Sequence, residues 1–327
     1  MAVTTRADLA ESARYDEEIV RSFAVRWGSG LLHFVQHKPL GAAGGAIIVV
    51  LLAVAVFANF IAPYGYDSRD YNALLAGPSH AHLLGTDESG RDLLSRIVYG
   101  ARVSVIVSIG TVTVATLIAL LVGVTSGYFG GVVDLVVQRV VDVWQSLPGL
   151  VLLLVFAAMF GTPKTPRTIL TVPVRIELIP AEIRAVQIIF LLGVVLSGGT
   201  SRLYRSATIA MRHNQFIEAG RAVGAGHVRI ILKYVLPNIM PVVLVVATVQ
   251  LGAAILIEAA LSFLQFGIPP PIPDWGSMLS GSAAQYINRA PMLAVWPGLA
   301  IALAVFGFNM LGDGLRDVLD PRLRGRN

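Results

Sequence analysis

Long apolar runs separated by short polar segments set the plan of this chain. Runs able to cross a hydrocarbon core of ~30 Å, which takes about 20 helical residues, lie at 39–61, 103–125, 140–160, 186–203, 239–263 and 293–311. The pattern predicts an all-α, polytopic membrane protein with six transmembrane helices, because only helices or closed barrels satisfy their backbone groups in lipid. The fourth run is short and carries Ser197, Gly198 and Gly199 near its end. Tyr64, Tyr99, Tyr128, Trp144, Tyr204 and Trp296 fall near run ends, where interfacial anchors are expected.

Charge orders the segments. The first forty residues have no apolar core beside Met1 and carry Arg14, Asp16, Glu17, Glu18, Arg21 and Arg26, so they read as a solvated tail and not as a cleavable signal. Within them, residues 25–35 read equally as a short interfacial helix or an irregular strip of tail. With that tail inside, sixteen Lys and Arg fall in inner segments and nine in outer ones. Such a bias places both termini in the cytoplasm. The expected organisation is a tail at 1–38 and a transmembrane domain at 39–320, with an outer segment at 63–102 and a cytoplasmic loop at 204–238, then a tail at 321–327. Composition agrees with membrane embedding, at 55% hydrophobic and 14% charged residues, and the absence of cysteine excludes disulfides, thiolate metal sites and thiol catalysis.

The most polar interruption late in the chain runs from Asn214 to Pro241. It predicts two short helices with a glycine corner. Asn214 is placed to cap the first through its side-chain oxygen. Gly224 and Gly226 supply positive φ, and an amphipathic stretch from His227 to Leu236 stops before Pro237. Phe216, Ala219, Gly220 and Val223 recur at spacings of three and four, giving a small-residue face suited to another protein's groove. Glu218, Ala219, Gly220, Gly224, Leu236 and Pro237 resemble the EAA loop of permease subunits of bacterial ABC importers. Two positions depart from that pattern, Gly220 at the third alanine and Tyr234 at a usual isoleucine.

The outer segment carries a more specific signal. Its end reads HLLGTDESGRDLLSRIVYGARVS, with a turn at Gly85, Thr86 and Asp87, and Asp87 or Ser89 placed to cap a helix from about Gly90. Leu93, Leu94, Ile97 and Val98 then form an apolar stripe opposite Arg91, Asp92, Ser95 and Arg96, which predicts a helix lying at the outer surface and leading into the second span. Asp87, Gly90, Arg91, Asp92, Ser95, Arg96, Gly100 and Arg102 resemble the signature of the dipeptide, oligopeptide and nickel permease family, in its second, C-type member. The resemblance continues through Asp134, Arg139, Asp142 and Pro148, through residues 262–279 including Trp275, and through Trp296, Asn309, Asp313, Arg316 and Asp317 to Arg322. It is interrupted at 161–200, where prolines at 163, 166, 173 and 180 oppose a regular helix.

Two sets of charges in apolar surroundings draw attention. Asp134, Gln138 and Asp142 recur every four residues and define one face turned to protein or water, with Arg139 available as a partner and a proton relay as the sharper alternative. Glu258 lies inside the fifth run, as a pathway residue or as the structural acid that similar permeases carry before this motif.

The resemblance implies a type I ABC importer permease fold in a bacterial inner membrane. It implies a heterodimer with a second homologous permease, two ATP-binding subunits and an extracytoplasmic binding protein, with a peptide as substrate. ATP and Mg would be used by the partners, since no GxxxxGK(S/T) loop occurs here. No HExxH, GxSxG or metal-ligand cluster occurs either, so no enzyme activity, metal or nucleic acid is assigned, and His80 and His82 are expected to be solvated. A nickel importer of the same family and a self-contained secondary transporter stand as alternatives. The latter would need mid-span carboxylates, for which Glu258 is the one hint.

Overall fold

The computed structural model describes residues 34–159, 167–169, 172–174 and 181–319. The expectations for the tail before residue 34, for much of the proline-rich segment and for residues 320–327 concern positions outside that set. The helices are α1 (Pro39–Val56), α2 (Ala58–Ile61), α3 (Leu93–Phe129), α4 (Gly131–Gln145), α5 (Gly149–Met159), α6 (Ala181–Met211), α7 (Gln215–Ala222), α8 (His227–Ile230), α9 (Leu236–Phe263), α10 (Trp275–Leu279), α11 (Ser282–Gln285) and α12 (Met292–Leu319). A π-helical turn at Ile231–Val235 joins α8 to α9. Inside the proline-rich segment, β1 (Arg167–Ile169) and β2 (Val172–Val174) form an antiparallel hairpin. Among the described residues the other long elements are all helices, as the apolar runs predict.

Five helical stretches are long and apolar enough to cross a membrane, and α4 with α5, bent by 77°, forms a sixth candidate. Contacts along α6 run the length of the bent pair, as a single broken span requires. Asp134 reaches Arg205 and Asp142 reaches Arg202. Farther along, Gln145 packs at Gly198, Gly149 at Val195, and Leu153 joins a cluster with Leu192 and Ile188. Seventeen residues of α6 between Arg205 and Ile188 rise about 26 Å at 1.5 Å per residue, close to the thickness of a bilayer core. The bend falls at Ser146–Pro148, where Pro148 has no N–H to continue the α4 ladder. The third run is therefore two helices rather than one.

Packing rests on small residues, as it must where lipid removes the hydrophobic incentive for helices to associate. A Cβ on Gly44 of α1 would stand 2.7 Å from the Gly307 carbonyl of α12, and one on Gly123 of α3 would stand 2.3 Å from the Ser201 carbonyl of α6. Lys38 Nζ donates to Asp317 Oδ2 at 2.7 Å, so the described chain begins and ends at one pole of the bundle. Arg102 at the other pole donates to the carbonyls of Ala55 and Val56, at 2.9 and 3.2 Å, and to Asn59 Oδ1. Its charge thus meets the negative end of α1 and satisfies carbonyls that the helix end leaves open.

Several expectations change. The second span starts at Leu93, with no separate surface helix, and its cap is Asp92, whose Oδ2 accepts from Ser95 N at 2.8 Å. Ser95 and Arg96 are buried beneath the preceding segment instead of facing solvent. The fourth span runs well past 186–203 at both ends. Ser197 and Thr200 do not break it, because their hydroxyls bond back to the carbonyls of Val194 and Leu196. Tyr128 and Tyr204 are buried in protein and anchor nothing in an interface.

Candidate functional site

At the pole that holds Lys38 and Asp317, α3 ends and the chain between α6 and α9 turns back. Asn214 starts α7 in extended geometry, and its carbonyl accepts from Ile217 and Glu218. Its side chain makes no cap. It donates to Met211 Sδ instead. Glu218 sits in the first turn, where the helix dipole favours a carboxylate.

The turn after α7 is a Schellman motif. Ala225 N–H bonds the Gly220 carbonyl and Gly224 N–H bonds the Arg221 carbonyl, with Gly224 at φ +83°. Gly226 has φ −67° and starts α8 in extended geometry, so only the first of the two glycines uses positive φ. The second helix does not stop before Pro237 either. The Leu236 N–H reaches back to the Ile231 carbonyl, and this wider turn carries the chain into α9 without needing the N–H that Pro237 lacks.

Ile217 is buried among Tyr128, Tyr204, Ile230, Val235 and Ile239, and Gly220 is buried beside the Tyr234 ring. Phe216, Glu218, Ala219 and Val223 are exposed, Val223 by 89%. The predicted face divides. Phe216, Ala219 and Val223 point outward, whereas Gly220 belongs to the inner side. Leu236 and Pro237 lie in the first turn of α9, half-buried and exposed respectively.

Beside this loop, Asp134 accepts both Nε and an Nη of Arg205 and a hydrogen bond from Ser126 Oγ, which in turn accepts from Gln138 at 3.0 Å. Asp142 accepts from Arg202 at 2.7 Å. The common face of Asp134, Gln138 and Asp142 is real. Its partners are α6 arginines and not Arg139.

The opposite pole is organised by the signature residues. Asp87 Oδ1 accepts from the N–H groups of Ser89 and Arg91, and Oδ2 accepts Arg91 Nε at 2.7 Å with Arg96 Nε 3.7 Å away. Gly90 has φ +75°, and a Cβ there would stand 2.1 Å from the Asp70 carbonyl, so no other residue fits that turn. His82 is buried, 3.1 Å from Asp92 Oδ1, so the expectation that it is solvated fails. Trp275 is buried against Gly100, and its indole N–H donates to the Ile97 carbonyl at 3.1 Å. It anchors α10 to α3. On α12, Asn309 packs at Gly252 of α9, while Asp313 and Arg316 are exposed.

Glu258 lies beneath α10, fully buried, accepting from Ser104 Oγ at 3.2 Å and Ser262 Oγ at 3.1 Å. Asp274 caps α10 by accepting from Ser277 N at 2.8 Å, and burial pushes its carboxyl above the ordinary carboxylate range. Arg184, at the start of α6, donates to the Phe266 carbonyl at 2.7 Å and ties α6 to the end of α9. Among the described residues, no group of three or more His, Asp or Glu is placed to hold a metal ion. Sequence reasoning missed Arg205, Arg202, Ser126 and Tyr128 as partners. A basic or hydroxyl residue at helical spacing was their only trace.

A helical bundle of five long spans and a bent sixth, with a glycine-cornered loop at one pole and a buried polar segment at the other, defines a multi-pass membrane protein. The chain belongs to the family described as binding-protein-dependent transport system inner membrane component, which matches residues 115–325. Residues 26–78 match the N-terminal transmembrane domain of oligopeptide transport permease C. It is 38% identical over 290 residues to the dipeptide transport system permease protein DppC of Alkalihalophilus pseudofirmus, covering 89% of this chain and 88% of that protein. It is 34% identical over 309 residues to the glutathione transport system permease protein GsiD of Pectobacterium atrosepticum, covering 94% and 95%. To the GsiD protein of an Escherichia coli strain it is 36% identical over 291 residues, covering 89% and 88%. The chain is thus a permease subunit of an ABC importer of the dipeptide, oligopeptide and glutathione type.

Proposed function

We propose that this permease carries peptides across the inner membrane, driven by ATP that separate subunits hydrolyse while docked on α7 and its Gly224 corner. The observation that carries the reading is the outward face of Phe216, Ala219 and Val223. It sits on a helix whose register is fixed by Asn214 at one end and the Gly224 turn at the other. An exposed apolar strip on a short, rigidly terminated helix is the shape a helix-in-groove contact requires. Peptide cargo is the reading that the names of the dipeptide and glutathione relatives favour.

The working assembly pairs this chain with a second homologous permease, two ATP-binding subunits using ATP and Mg, and an extracytoplasmic binding protein. The transmembrane domain is 39–320, with both termini and the 204–238 loop in the cytoplasm and the 63–102 segment outside. The test is purification of the tagged chain in mild detergent, with mass spectrometry of its partners and an ATPase assay. A second permease and ATP-binding subunits are expected, with peptide-dependent ATP hydrolysis lost in Gly224→Asp. A chain without ATPase both in detergent and after crosslinking in membranes would overturn the reading.

A further inference from the structure

Tyr128 is the last buried residue of α3, and three features of its surroundings set it apart. Its hydroxyl shares a hydrogen bond of 3.0 Å with His227 Nδ1, in the first residue of α8. The Arg221 guanidinium, from α7, stands 5.6 Å from its ring centroid. Its ring also packs in the cluster of Ile217 from α7 and Ile230 from α8. One side chain of α3 therefore holds both arms of the loop, on either side of the Gly224 corner.

What lies behind Tyr128 is rigid. At the residue before it, a Cβ on Gly127 would stand 2.8 Å from the Arg205 carbonyl, and a turn earlier Gly123 closes on the Ser201 carbonyl. Toward the other pole, Gly110 meets Ile189 and Gly193 meets Val114 at similarly short distances. With backbones that close at Gly123 and Gly127, and side chains packed onto Gly110 and Gly193 farther along, α3 and α6 have little room to slide separately. A push on Tyr128 moves both.

We infer that Tyr128 is a positioning residue that transmits displacement of the α7–α8 loop into the α3–α6 pair. The inference rests on the proposed docking of an ATPase at α7, and it adds the route by which that docking reaches the transport pathway. The hydroxyl and ring have separable parts in it, the first gripping α8 and the second packing against both arms of the loop.

The chain has no cysteine, so a labelled pair is unique within it, and the partner subunits are used in cysteine-free form. Spin labels at Leu117→Cys on α3 and Leu303→Cys on α12, both exposed, report movement of the α3–α6 pair by pulsed electron resonance, with no need to know the cargo. The assembled importer in nanodiscs is measured without nucleotide and after trapping with ATP and vanadate. A shift in the distance distribution is expected for the otherwise native chain. In Tyr128→Ala it should shrink at least about threefold while vanadate trapping and subunit composition persist, and Tyr128→Phe should fall between. A merely structural residue would lose trapping and subunits together with the shift. That outcome, or an undiminished shift in Tyr128→Ala, overturns the transmission role while leaving docking intact. Failure of the native complex to contain an ATPase overturns the docking reading first and the inference with it.

Discussion

Asp134 of α4 and Arg205 of α6 form a two-pronged ion pair across 71 residues of sequence, and Ser126 of α3 closes the third side of it. The pair is only partly buried, so its worth comes from geometry more than from low dielectric. Asp134→Ala is expected to free α4 from α6 and lower the apparent Tm of the purified complex, by an amount equivalent to about 1 kcal/mol. Arg205→Lys should behave almost as badly, since a point charge cannot reproduce the fork. Full stability in Arg205→Lys would show that charge alone suffices here.

The two loop glycines are predicted to part company. Gly224 holds φ +83° with open space around its Cα, so the cost of a side chain there is conformational, about 1 kcal/mol for alanine. Gly226 holds φ −67°, which any residue adopts. Gly226→Ala should therefore leave uptake near the native rate, whereas Gly224→Asp should lower uptake at least about tenfold with the spans still inserted. Protease accessibility of the loop in membrane vesicles, beside an uptake assay, separates lost coupling from lost folding.

Six crossings were legible because apolar run length is a direct statement about bilayer thickness, and α9 comes close to its predicted bounds, while α12 keeps its predicted start but runs eight residues past its predicted end. The glycine corner was legible at Gly224 for a similar reason, that few residues accept positive φ. Long-range partners were not. Nothing local distinguishes Arg205 from Arg139 as the mate of Asp134, and only the path of the bent α4–α5 pair along α6 decides it. Tyr128 was misplaced because a tyrosine near a span end has the same signature whether it faces headgroups or a folded loop.

Helix α9 ends in a second Schellman motif, with Phe266 N–H on the Leu261 carbonyl and Gln265 N–H on that of Ser262. Here the left-handed position is Gln265, at φ +66°, a conformation that glycine adopts without strain. A residue with a Cβ is strained in that region by roughly 1–2 kcal/mol. Gln265→Gly is expected to raise the Tm of the complex, the gain reduced by the extra freedom of glycine in the unfolded chain to about 1 kcal/mol. Scanning calorimetry or a thermal-shift assay of the two proteins side by side checks it. A lowered Tm would mean that the Gln265 side chain makes a contact in the assembled importer worth more than the strain.

Asp274 gives the chain a pH dependence with a definite sign. Its carboxyl is buried, faces the neighbouring Glu258 and Ser262, and has one oxygen with no hydrogen-bond partner among the described residues, while the other caps α10 through Ser277 N. Burial raises its pKa in the folded protein, so folding favours the protonated form. Its contribution to stability is therefore fully present below the unfolded carboxylate value of about 3.9 and declines as pH rises toward and through the raised folded value. Asp274→Asn retains an oxygen for the Ser277 cap and carries no charge to desolvate. The variant should thus gain Tm relative to the native protein as pH is raised from 5 to 8, and the gap should narrow on acidification. If the native protein is instead the more stable at pH 8, the Asp274 carboxylate must be held as an anion by a cation from another subunit of the importer, and α10 would then be a contact surface and not only a cap over Glu258.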